Sequence, residues 1–410
     1  MRIAFITQSY PPMVSGAALV VERLAKGMAE RGHPVLVLAA SDQGHAYTKE
    51  IGNLRIVRLT SLPNPKRANQ HLASPSFYKV VKELKSFDPD IIHIHDIFLG
   101  LEGVLWGQVM KVPVIGTIHQ LPWFVNSYLP EVPALKQLTE GSIWSCTRWM
   151  NNQCDTLIVP TPTIAQTIHS EVGFKPVAIS NGVDLSHFTT EPSNPKEKKN
   201  LCRKYNLNPG RPIILHVGRL DVDKNVEKVI EATAKTMQAN DAQLLVVGDG
   251  ECKKSLQKQA KRLGIRKKCH FPGFISTNGD LPGIYRIANV FVTASEIETQ
   301  GLVLLEALAS GLPVVAVDAT CVPELVKDNI NGFLVQSNDV DAFADSLTRL
   351  ICNPARARQM GQRGRELAEK HSVQSALDRH ENLYRKTITQ PRKAINPGLR
   401  RAWTSIQRFL

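Results

Sequence analysis

Two glutamates eight residues apart lie in a stretch whose residue types suit the binding of a phosphorylated sugar. Glu298 and Glu306 flank Gly301, and Gly311 marks the end of a short predicted helix. A glycine before a helix leaves the first backbone amides of that helix open to an anion, which the helix dipole also favours. The pattern predicts that the amides of Gly301 and Leu302 bind a phosphate. The two carboxylates are then available for the hydroxyl groups of a sugar and of a ribose.

Two cations follow another predicted strand, in an arrangement that suits a diphosphate. The buried strand that begins at Pro212 ends at Gly218, and Arg219 and Lys224 come next. A guanidinium forms bidentate contacts with phosphate oxygens, whereas an ammonium acts as a compact point charge. We expect both side chains to stabilise a diphosphate leaving group as its charge develops. The alternative for Arg219 and Lys224 is that both are solvated surface cations. The alternative for Glu298 and Glu306 is that both are ordinary surface glutamates.

Alternating strands and helices must position these groups in two folded bodies. A chain of 410 residues is long enough for two domains, each with its own core. Residues 1–40 read as strand, loop, helix and strand, which is the opening of a parallel sheet with helices on both faces. A second series of this kind follows the charged, proline-bearing segment 190–204, which we interpret as a domain linker. The predicted fold class is α/β.

Taken in order, these motifs resemble those of the retaining glycosyltransferases of family 4, which have the GT-B fold. The resemblance extends from the first strand to about residue 388. It implies two Rossmann-like doubly wound domains that face a central cleft. The N-terminal domain, on the acceptor side, is expected at 1–190, and the domain that binds the nucleotide sugar at 205–375. The helices of 376–410 are expected to return to the N-terminal domain.

The resemblance also implies site residues that the first two motifs do not contain. His119 lies at the end of P-V-I-G-T-I-H-Q, which is similar to a family motif whose histidine lies beside the transferred sugar. A hydrogen-bonded histidine at a strand end is the alternative. Gly16 follows Ser15 where the family usually has two glycines, and its backbone is expected to approach the donor. Gly273 and Phe274 resemble the segment whose backbone pairs with the nucleotide base.

The activity that the resemblance implies is transfer of a hexose from a nucleotide-sugar donor, with retention at the anomeric carbon. The catalytic residues are then expected to be His119, Glu298, Arg219 and Lys224. The donor-binding residues are expected to be Gly16, Arg219, Lys224, Gly273, Phe274, Gly301, Leu302 and Glu306. Neither a metal nor a cofactor is implied, because cations and a helix start replace the metal. The expected donor is a UDP-sugar, while GDP-mannose stays open because backbone groups read the base.

The acceptor is predicted to be a membrane lipid such as diacylglycerol. The residues from Glu298 to Leu302 look like the glycolipid-synthase branch of the family. Basic and aromatic residues are concentrated at 65–85 and 123–149, and the end of the chain, 395–410, is basic and amphipathic. The net charge is +13, and each well-placed cation near an anionic leaflet contributes about 1 kcal/mol. A soluble or polysaccharide acceptor is the alternative, with these segments forming ordinary surface or core.

Composition and spacing argue against several other functions. The seven scattered cysteines include no C-x-x-C pair, and His93 and His95 lack a third ligand for a metal. The basic residues accompany no recognised nucleic-acid motif, so no nucleic-acid partner is expected. A non-catalytic protein that binds nucleic acid or nucleotide sugars is the distant alternative, and an epimerase of the same fold is a closer one. The chain begins with a strand rather than a signal peptide, so we expect a cytoplasmic protein, peripheral on the inner face of the membrane.

Overall fold

Two compact units make up the protein. The computed structural model describes residues 1–64, 71–74, 76–119, 121–127, 129–130, 132–191 and 194–390. Unit 1 consists of Met1–Pro122, Glu131–Ser180 and the chain from Gln374 onward, and unit 2 consists of Trp123–Pro130 and Asn181–Val373. The domain limits inferred from the sequence, at 190, 205 and 376, stay predictions.

The strands are short, and most are runs of buried apolar residues. In chain order they are β1 (Ile3–Thr7), β2 (Val35–Ala40), β3 (Tyr47–Ile51), β4 (Leu54–Leu59), β5 (Ser61–Pro63), β6 (His71–Ala73), β7 (Ile91–Ile94), β8 (Val114–Thr117), β9 (Thr156–Val159), β10 (Val177–Ala178), β11 (Ile213–Val217), β12 (Gln243–Val247), β13 (Cys269–Gly273), β14 (Val290–Thr293), β15 (Val314–Val317) and β16 (Gly332–Val335).

Helices lie between most of these strands and form the end of the described chain. In order they are α1 (Gly16–Glu30), α2 (Phe77–Phe87), α3 (Ile97–Met110), α4 (Pro122–Asn126), α5 (Pro133–Gln153), α6 (Pro162–Val172), α7 (Pro195–Lys204), α8 (Val226–Ala239), α9 (Lys253–Arg262), α10 (Leu281–Ile287), α11 (Leu302–Ala309), α12 (Val322–Leu325), α13 (Val340–Ile351), α14 (Pro354–Glu369) and α15 (Val373–Thr389).

Each unit is built on one large, mainly parallel sheet. In unit 1 the strand order is β10-β9-β8-β7-β1-β2-β4-β3, and only the β3–β4 pair is antiparallel among its described strands. In unit 2 the order is β13-β12-β11-β14-β15-β16, with every described pair parallel. Strands such as β1, β2 and β11 are buried along their whole length, as expected for sheets that helices cover on both faces. The predicted α/β fold is confirmed.

The segment interpreted as a linker is partly a helix, and this prediction was wrong for residues 195–204. Helix α7 begins after Asn194, whose side-chain oxygen accepts a hydrogen bond from the amide of Lys196 at 2.9 Å. Leu201 and Cys202 are buried, and they belong to the apolar core of unit 2. Only these two residues of the helix are buried, and most of the others are charged. Composition alone therefore indicated a linker.

Helix α15 packs within unit 1 and is anchored there by ion pairs and by a buried side chain. Arg31 at the end of α1 pairs with Asp378 at 2.7 Å and with Glu381 at 3.0 Å. A Cβ at Gly27 of α1 would lie 2.5 Å from Leu377, so the two helices are in close contact there. The last described helix therefore belongs to the first folded body.

Candidate functional site

The predicted cations and the first predicted glutamate follow adjacent strands of the unit 2 sheet. Strands β11 and β14 pair in parallel, with Ile214 opposite Val290 and Leu215 opposite Phe291. Adjacent parallel strands end at the same edge of a sheet, so the loops 218–225 and 294–301 lie next to each other. This carboxyl edge is where ligands bind in open α/β sheets.

Lys224 and Glu298 form a direct ion pair between these two loops. The Lys224 Nζ lies 2.6 Å from Glu298 Oε1 and 3.2 Å from Ser295 Oγ. The two charged side chains are only 15% and 16% exposed, so removal of either partner would be costly. The Lys224 Nζ also lies 3.6 Å from the buried Asp223 Oδ2. The structure thus joins the cation predicted for the diphosphate to the carboxylate predicted for the sugar.

Arg219 is held within its own loop by two carboxylates that the sequence analysis did not single out. Its guanidinium donates a hydrogen bond to Asp221 and another, at 2.8 Å, to Asp223 Oδ2. The Phe124 ring lies under the guanidinium, with 5.2 Å between the ring centroid and Cζ. The alternation of acidic and apolar residues in R-L-D-V-D-K was the available signal for these partners. They fix the orientation of Arg219, which is one-third exposed.

Asn225 and Glu296 connect the same two loops. Asn225 adopts a left-handed backbone with φ of 47°, a conformation that asparagine tolerates better than most residues. Its side-chain amide donates to the Ala294 carbonyl at 3.2 Å and to Glu296 Oε1 at 2.9 Å. Glu296 Oε1 also lies 3.0 Å from Lys228 Nζ. Sequence reasoning missed Glu296, because its role depends on a contact with a residue 71 positions away.

Gly301 and the start of α11 form the geometry that was predicted for an anion. The Gly301 φ is +74°, a conformation that glycine adopts without strain. Its carbonyl accepts hydrogen bonds from the Leu304 and Leu305 amides at 3.0 and 3.2 Å, which closes the first turn of the helix. Within the described residues, the amides of Gly301 and Leu302 donate to no protein acceptor. Both amides stand at the positive end of the helix dipole.

Glu306 lies inside α11 with its carboxylate oriented by a buried tyrosine. The Tyr285 hydroxyl donates to Glu306 Oε2 at 3.1 Å, and Glu306 is 4% exposed. Burial, followed by the charge of Glu306, raises the pKa of Tyr285 well above its ordinary value, so the hydroxyl keeps its proton and remains a donor. Tyr285 lies on α10, and no local pattern in the sequence linked it to Glu306.

Gly273 is the last residue of the outer strand β13, and Phe274 follows it at the same carboxyl edge. The Gly273 carbonyl accepts a hydrogen bond from the Gly248 amide at 2.9 Å, and its φ is +92°. The Phe274 side chain is 56% exposed. All residues that were predicted for unit 2 thus lie at or after the carboxyl ends of strands of one sheet, or on α11.

In unit 1 the structure describes Gly16 and His119. Ser15, where the family usually has a glycine, caps α1: its Oγ accepts a hydrogen bond from the Ala18 amide at 3.0 Å. Gly16 is the first residue of that helix and is exposed. Strand β8 ends at Thr117, so His119 lies two residues beyond the strand end. Burial lowers the pKa of His119 to about 4, which keeps the ring neutral at pH 7.

The segments that were predicted for the acceptor are described only in part. Lys66, Arg67, Tyr128 and the amphipathic end at 395–410 lie outside the described residues. Helix α2 buries one face and exposes Lys82 and Lys85 on the other, which agrees with an amphipathic basic helix. Trp144 is 8% exposed and packs into the core of unit 1.

Two negative findings also apply to the described residues only. Among them, no helix is both long and apolar enough to cross a membrane. The same part of the chain contains no group of three histidine, cysteine or carboxylate side chains that could hold a metal ion.

Comparison with known families matches most of the chain to glycosyltransferases. A family profile described as "Glycosyltransferase Family 4" matches residues 14–187, and one described as "Glycosyl transferases group 1" matches residues 197–367. The second stretch contains the unit 2 motifs from Arg219 to Glu306. The first contains Gly16 and His119.

Individual proteins show the same relationship. The chain is 28% identical over 362 residues to an alpha-monoglucosyldiacylglycerol synthase of Streptococcus pneumoniae. This match covers 86% of this chain and 79% of that protein. It is 26% identical over 360 residues to a GDP-mannose-dependent alpha-mannosyltransferase of Mycobacterium tuberculosis, with coverages of 86% and 88%. The structure of a sucrose-phosphate synthase of Thermosynechococcus elongatus superposes with a TM-score of 0.77 at 22% identity, over 94% of this chain and 98% of that one.

The structural similarity establishes the architecture, and the matched sequences establish the family. Two Rossmann-like units with parallel sheets are the GT-B fold, which confirms the predicted fold class. The protein is therefore a glycosyltransferase that uses a nucleotide-sugar donor, and it belongs to family 4 of the GT-B glycosyltransferases.

Proposed function

We propose that the protein transfers a hexose from a UDP-sugar to a membrane lipid such as diacylglycerol, with retention at the anomeric carbon. The observation that carries the donor half of this proposal is the Lys224–Glu298 pair beside the open start of α11. It combines a cation for phosphate, a carboxylate for sugar hydroxyls and backbone donors for an anion at one edge of one sheet.

In the proposed complex, each group at this edge has one role. Arg219, Lys224 and the amides of Gly301 and Leu302 bind the diphosphate. Glu306, held by Tyr285, accepts hydrogen bonds from the ribose hydroxyls. Glu298 binds the sugar, and His119 of unit 1 is assigned to the sugar as well. The remaining donor contacts are assigned to the backbone of Gly16, Gly273 and Phe274.

The reaction breaks the bond between the anomeric carbon and the diphosphate oxygen. The diphosphate leaves with the electron pair, and the acceptor oxygen forms the new bond on the same face of the sugar. The proton of the acceptor hydroxyl passes to the departing diphosphate oxygen. Cations and oriented amides that are placed before the reaction stabilise the charge that develops on this oxygen. The proposal needs neither a metal nor an organic cofactor, because these groups supply the positive charge.

The surface of unit 1 supports the lipid acceptor. Twelve of the sixteen large apolar side chains that are exposed among the described residues belong to unit 1. The four in unit 2 are Val222, Leu263, Phe274 and Ile330. Exposed apolar groups that lie together are typical of an interaction surface, and a lipid bilayer is one that also suits a net charge of +13.

Helix α5 gives this surface a specific candidate contact. Its buried residues, beginning at Trp144, all lie in its second half. The first half exposes Leu135 and Leu138, which are 38% and 69% exposed. A helix that packs on the protein with one half only can lay the other half on a lipid surface. The relative named as a monoglucosyldiacylglycerol synthase supports the same acceptor class.

The donor assignment is tested with a thin-layer assay for glycolipid formed from UDP-glucose and diacylglycerol vesicles. We expect Arg219→Ala to lower turnover by orders of magnitude while the protein stays folded. Arg211→Ala is the matched control, since Arg211 pairs with Asp241 on the surface of the same unit. If both variants retain full turnover, the site assignment is refuted. GDP-mannose is assayed in parallel, because one relative is named for that donor.

The acceptor assignment is tested by co-sedimentation with phosphatidylcholine vesicles of increasing phosphatidylglycerol content. We expect binding to rise with anionic lipid at low salt, and Leu135→Ser/Leu138→Ser to weaken it. Leu263→Ser in unit 2 is the control, because Leu263 is 37% exposed, much as Leu135 is. Absence of vesicle binding together with transfer to a soluble sugar would overturn the lipid acceptor and the peripheral, inner-face location that we propose. It would leave the glycosyltransferase assignment intact.

A further inference from the structure

The loop that carries Glu298 lies between two other loops at the carboxyl edge of the unit 2 sheet. Strand β14 stands between β11 and β15 in the sheet and pairs with β15 in parallel, with Thr293 opposite Ala316. The loop 294–301 therefore has the loop 218–225 on one side and residues 318–321 on the other. On the first side, Lys224 binds the Glu298 carboxylate. The proposed function assigns no role to the loop on the second side.

Two consecutive residues of that second loop hold the main chain of Glu298. The Glu298 amide donates a long hydrogen bond to Thr320 Oγ1, at 3.4 Å, and Cys321 Sγ lies 3.2 Å from the Glu298 carbonyl oxygen. The direction of each bond is fixed, because a backbone amide can only donate and a carbonyl can only accept. The Thr320 hydroxyl is therefore the acceptor of the first bond, and the Cys321 thiol is the donor of the second.

The Cys321 thiol keeps the proton that this second bond requires. Cys321 is fully buried. Burial, followed by the charges of Glu298 and Glu324, raises the pKa of the thiol above its ordinary value. At pH 7 the side chain is therefore a neutral S–H group, which is a weak donor. A thiolate could not donate to the carbonyl, and it would repel the Glu298 carboxylate.

Thr320 makes its contact from a strained backbone conformation. Its φ is +44°, in the left-handed region that a β-branched residue rarely adopts. Consecutive side chains of an extended chain point in opposite directions, so a turn is needed for Thr320 and Cys321 both to reach Glu298. Strain of this kind persists only where surrounding contacts hold it, and it is concentrated at functional sites. The two bonds to Glu298 are such contacts.

Nucleotide binding makes a second anchor for Glu298 necessary. In the proposed complex the Lys224 ammonium binds the diphosphate, and it must then divide its N–H donors between phosphate oxygens and the Glu298 carboxylate. The ion pair that holds Glu298 from the first side is weakened at the moment when the sugar arrives. The bonds from Thr320 and Cys321 involve neutral groups, so a phosphate does not compete for them.

We propose that Thr320 and Cys321 are positioning residues that hold the main chain of Glu298, so that its carboxylate stays directed at the transferred sugar when Lys224 binds the diphosphate. The role of Glu298 toward the sugar rests on the proposed function, whereas the anchoring rests on contacts within unit 2. Both residues act through Glu298 and not by contact with the substrate.

The anchoring is measured first, by hydrogen–deuterium exchange of the full-length protein with mass-spectrometric fragmentation that resolves the Glu298 amide. Thr320→Val keeps the branched shape but removes the acceptor, so the amide should exchange about fivefold faster, the factor that one ordinary hydrogen bond supplies. Thr320→Ser keeps the hydroxyl and should exchange like the unmodified protein. Thr189→Val is the matched control, since Thr189 Oγ1 accepts the Glu191 amide at 3.2 Å elsewhere in unit 2. Unchanged exchange in Thr320→Val would overturn the proposal.

Kinetics with the sugar donor then test the consequence. Thr320→Val and Thr320→Gly both remove the hydroxyl, and each should lower kcat about fivefold. The affinity for free UDP should stay unchanged, because Glu298 is not assigned to the diphosphate. Thr320→Gly also relieves the left-handed strain, so it should unfold at a higher urea concentration than Thr320→Val. Cys321→Ala should lower kcat by a smaller factor, because a thiol is the weaker partner, and Cys321→Ser should retain the rate.

The outcomes separate positioning from a purely structural role. If activity follows stability, so that Thr320→Gly is faster than Thr320→Val, the positioning role is refuted. A loss of UDP affinity as large as the loss of rate would refute it too, because the whole edge of the sheet would then be distorted. If the unmodified protein transfers no sugar from any nucleotide donor, the proposed function fails and the positioning role fails with it. The exchange of the Glu298 amide still decides whether Thr320 anchors Glu298.

Discussion

Replacing Gly301 with alanine tests whether the start of α11 binds the diphosphate. A Cβ at this position would lie 2.8 Å from Leu304 Cδ1 and 3.2 Å from its Cγ. Leu304 is fully buried, so its side chain cannot turn toward solvent to make room. The first turn of the helix must move instead, and with it the amides of Gly301 and Leu302. The substitution therefore changes the position of the proposed phosphate donors without changing any charge.

Gly264 in the same unit provides a control with the same backbone strain. Its φ is +75°, against +74° at Gly301, and a Cβ there would meet no atom within 4 Å. A left-handed alanine costs about 1–2 kcal/mol. The loss of glycine's freedom in the unfolded chain returns about 0.4–1 kcal/mol. Gly264→Ala should therefore lower the unfolding free energy by about 1 kcal/mol and leave nucleotide binding unchanged.

The expected difference between the two variants is in nucleotide affinity, measured by calorimetric titration of UDP and of GDP. A hydrogen bond to a charged group contributes about 1.5–3 kcal/mol, and 1.4 kcal/mol is a factor of ten in affinity. Displacement of even one amide should therefore weaken binding of the diphosphate at least about tenfold in Gly301→Ala. Both nucleotides share the diphosphate, so both should lose affinity by a similar factor. Equal affinities in Gly301→Ala and Gly264→Ala would refute the anion site at α11.

Two further predictions concern buried ionisable side chains, one in each unit. Lys224→Met should lower the unfolding free energy, measured by urea unfolding, by about 3 kcal/mol, because it leaves the mostly buried Glu298 carboxylate unpaired. The double variant with Glu298→Leu should recover most of this loss. In unit 1, burial lowers the pKa of His380 to about 4, so below its ordinary pKa of 6.5 the unfolded chain binds a proton more readily than the folded one. Unfolding free energy is then lost as the pH falls, by about 2 kcal/mol for this group between pH 7.5 and pH 5. His380→Asn should reduce the difference between the two pH values by that amount, and an unchanged difference would contradict a buried neutral ring.

Local patterns were sufficient to indicate several buried strands and the loops that carry the proposed donor residues. Strand β15, Val314–Val317, is an uninterrupted apolar run between a glycine–proline turn and an aspartate, a pattern typical of a buried strand. Helix α11 begins at the predicted residue because Gly301 punctuates the chain there. In a parallel sheet all strands end at the same edge, so residues that follow different strands come together even when they are far apart in sequence.

The partners of the site residues could not be predicted, because no local rule connects them. Tyr285 lies 21 residues before Glu306, on another helix, and only the packed fold brings its hydroxyl to the carboxylate. Likewise, the contact between His95 and His119 depends on the neighbouring positions of β7 and β8 in the sheet. The sequence showed two histidines on one face of a strand and a third after the next strand. No local pattern indicates that the second and the third of these histidines share a hydrogen bond.

The charges of the two loops give a reason why the proposed diphosphate site in unit 2 would need backbone amides. The described loops and their partners contain three cations and four carboxylates, namely Arg219, Lys224, Lys228, Asp221, Asp223, Glu296 and Glu298. Side chains alone therefore leave this edge of the sheet slightly negative, and a diphosphate adds further negative charge. Each cation is already shared with at least one carboxylate, so it cannot neutralise a phosphate fully. Donors that carry no counterion of their own must contribute the rest, and the amides at the start of α11 are such donors. A substitution that moves these amides should therefore weaken nucleotide binding even though every charged side chain is retained.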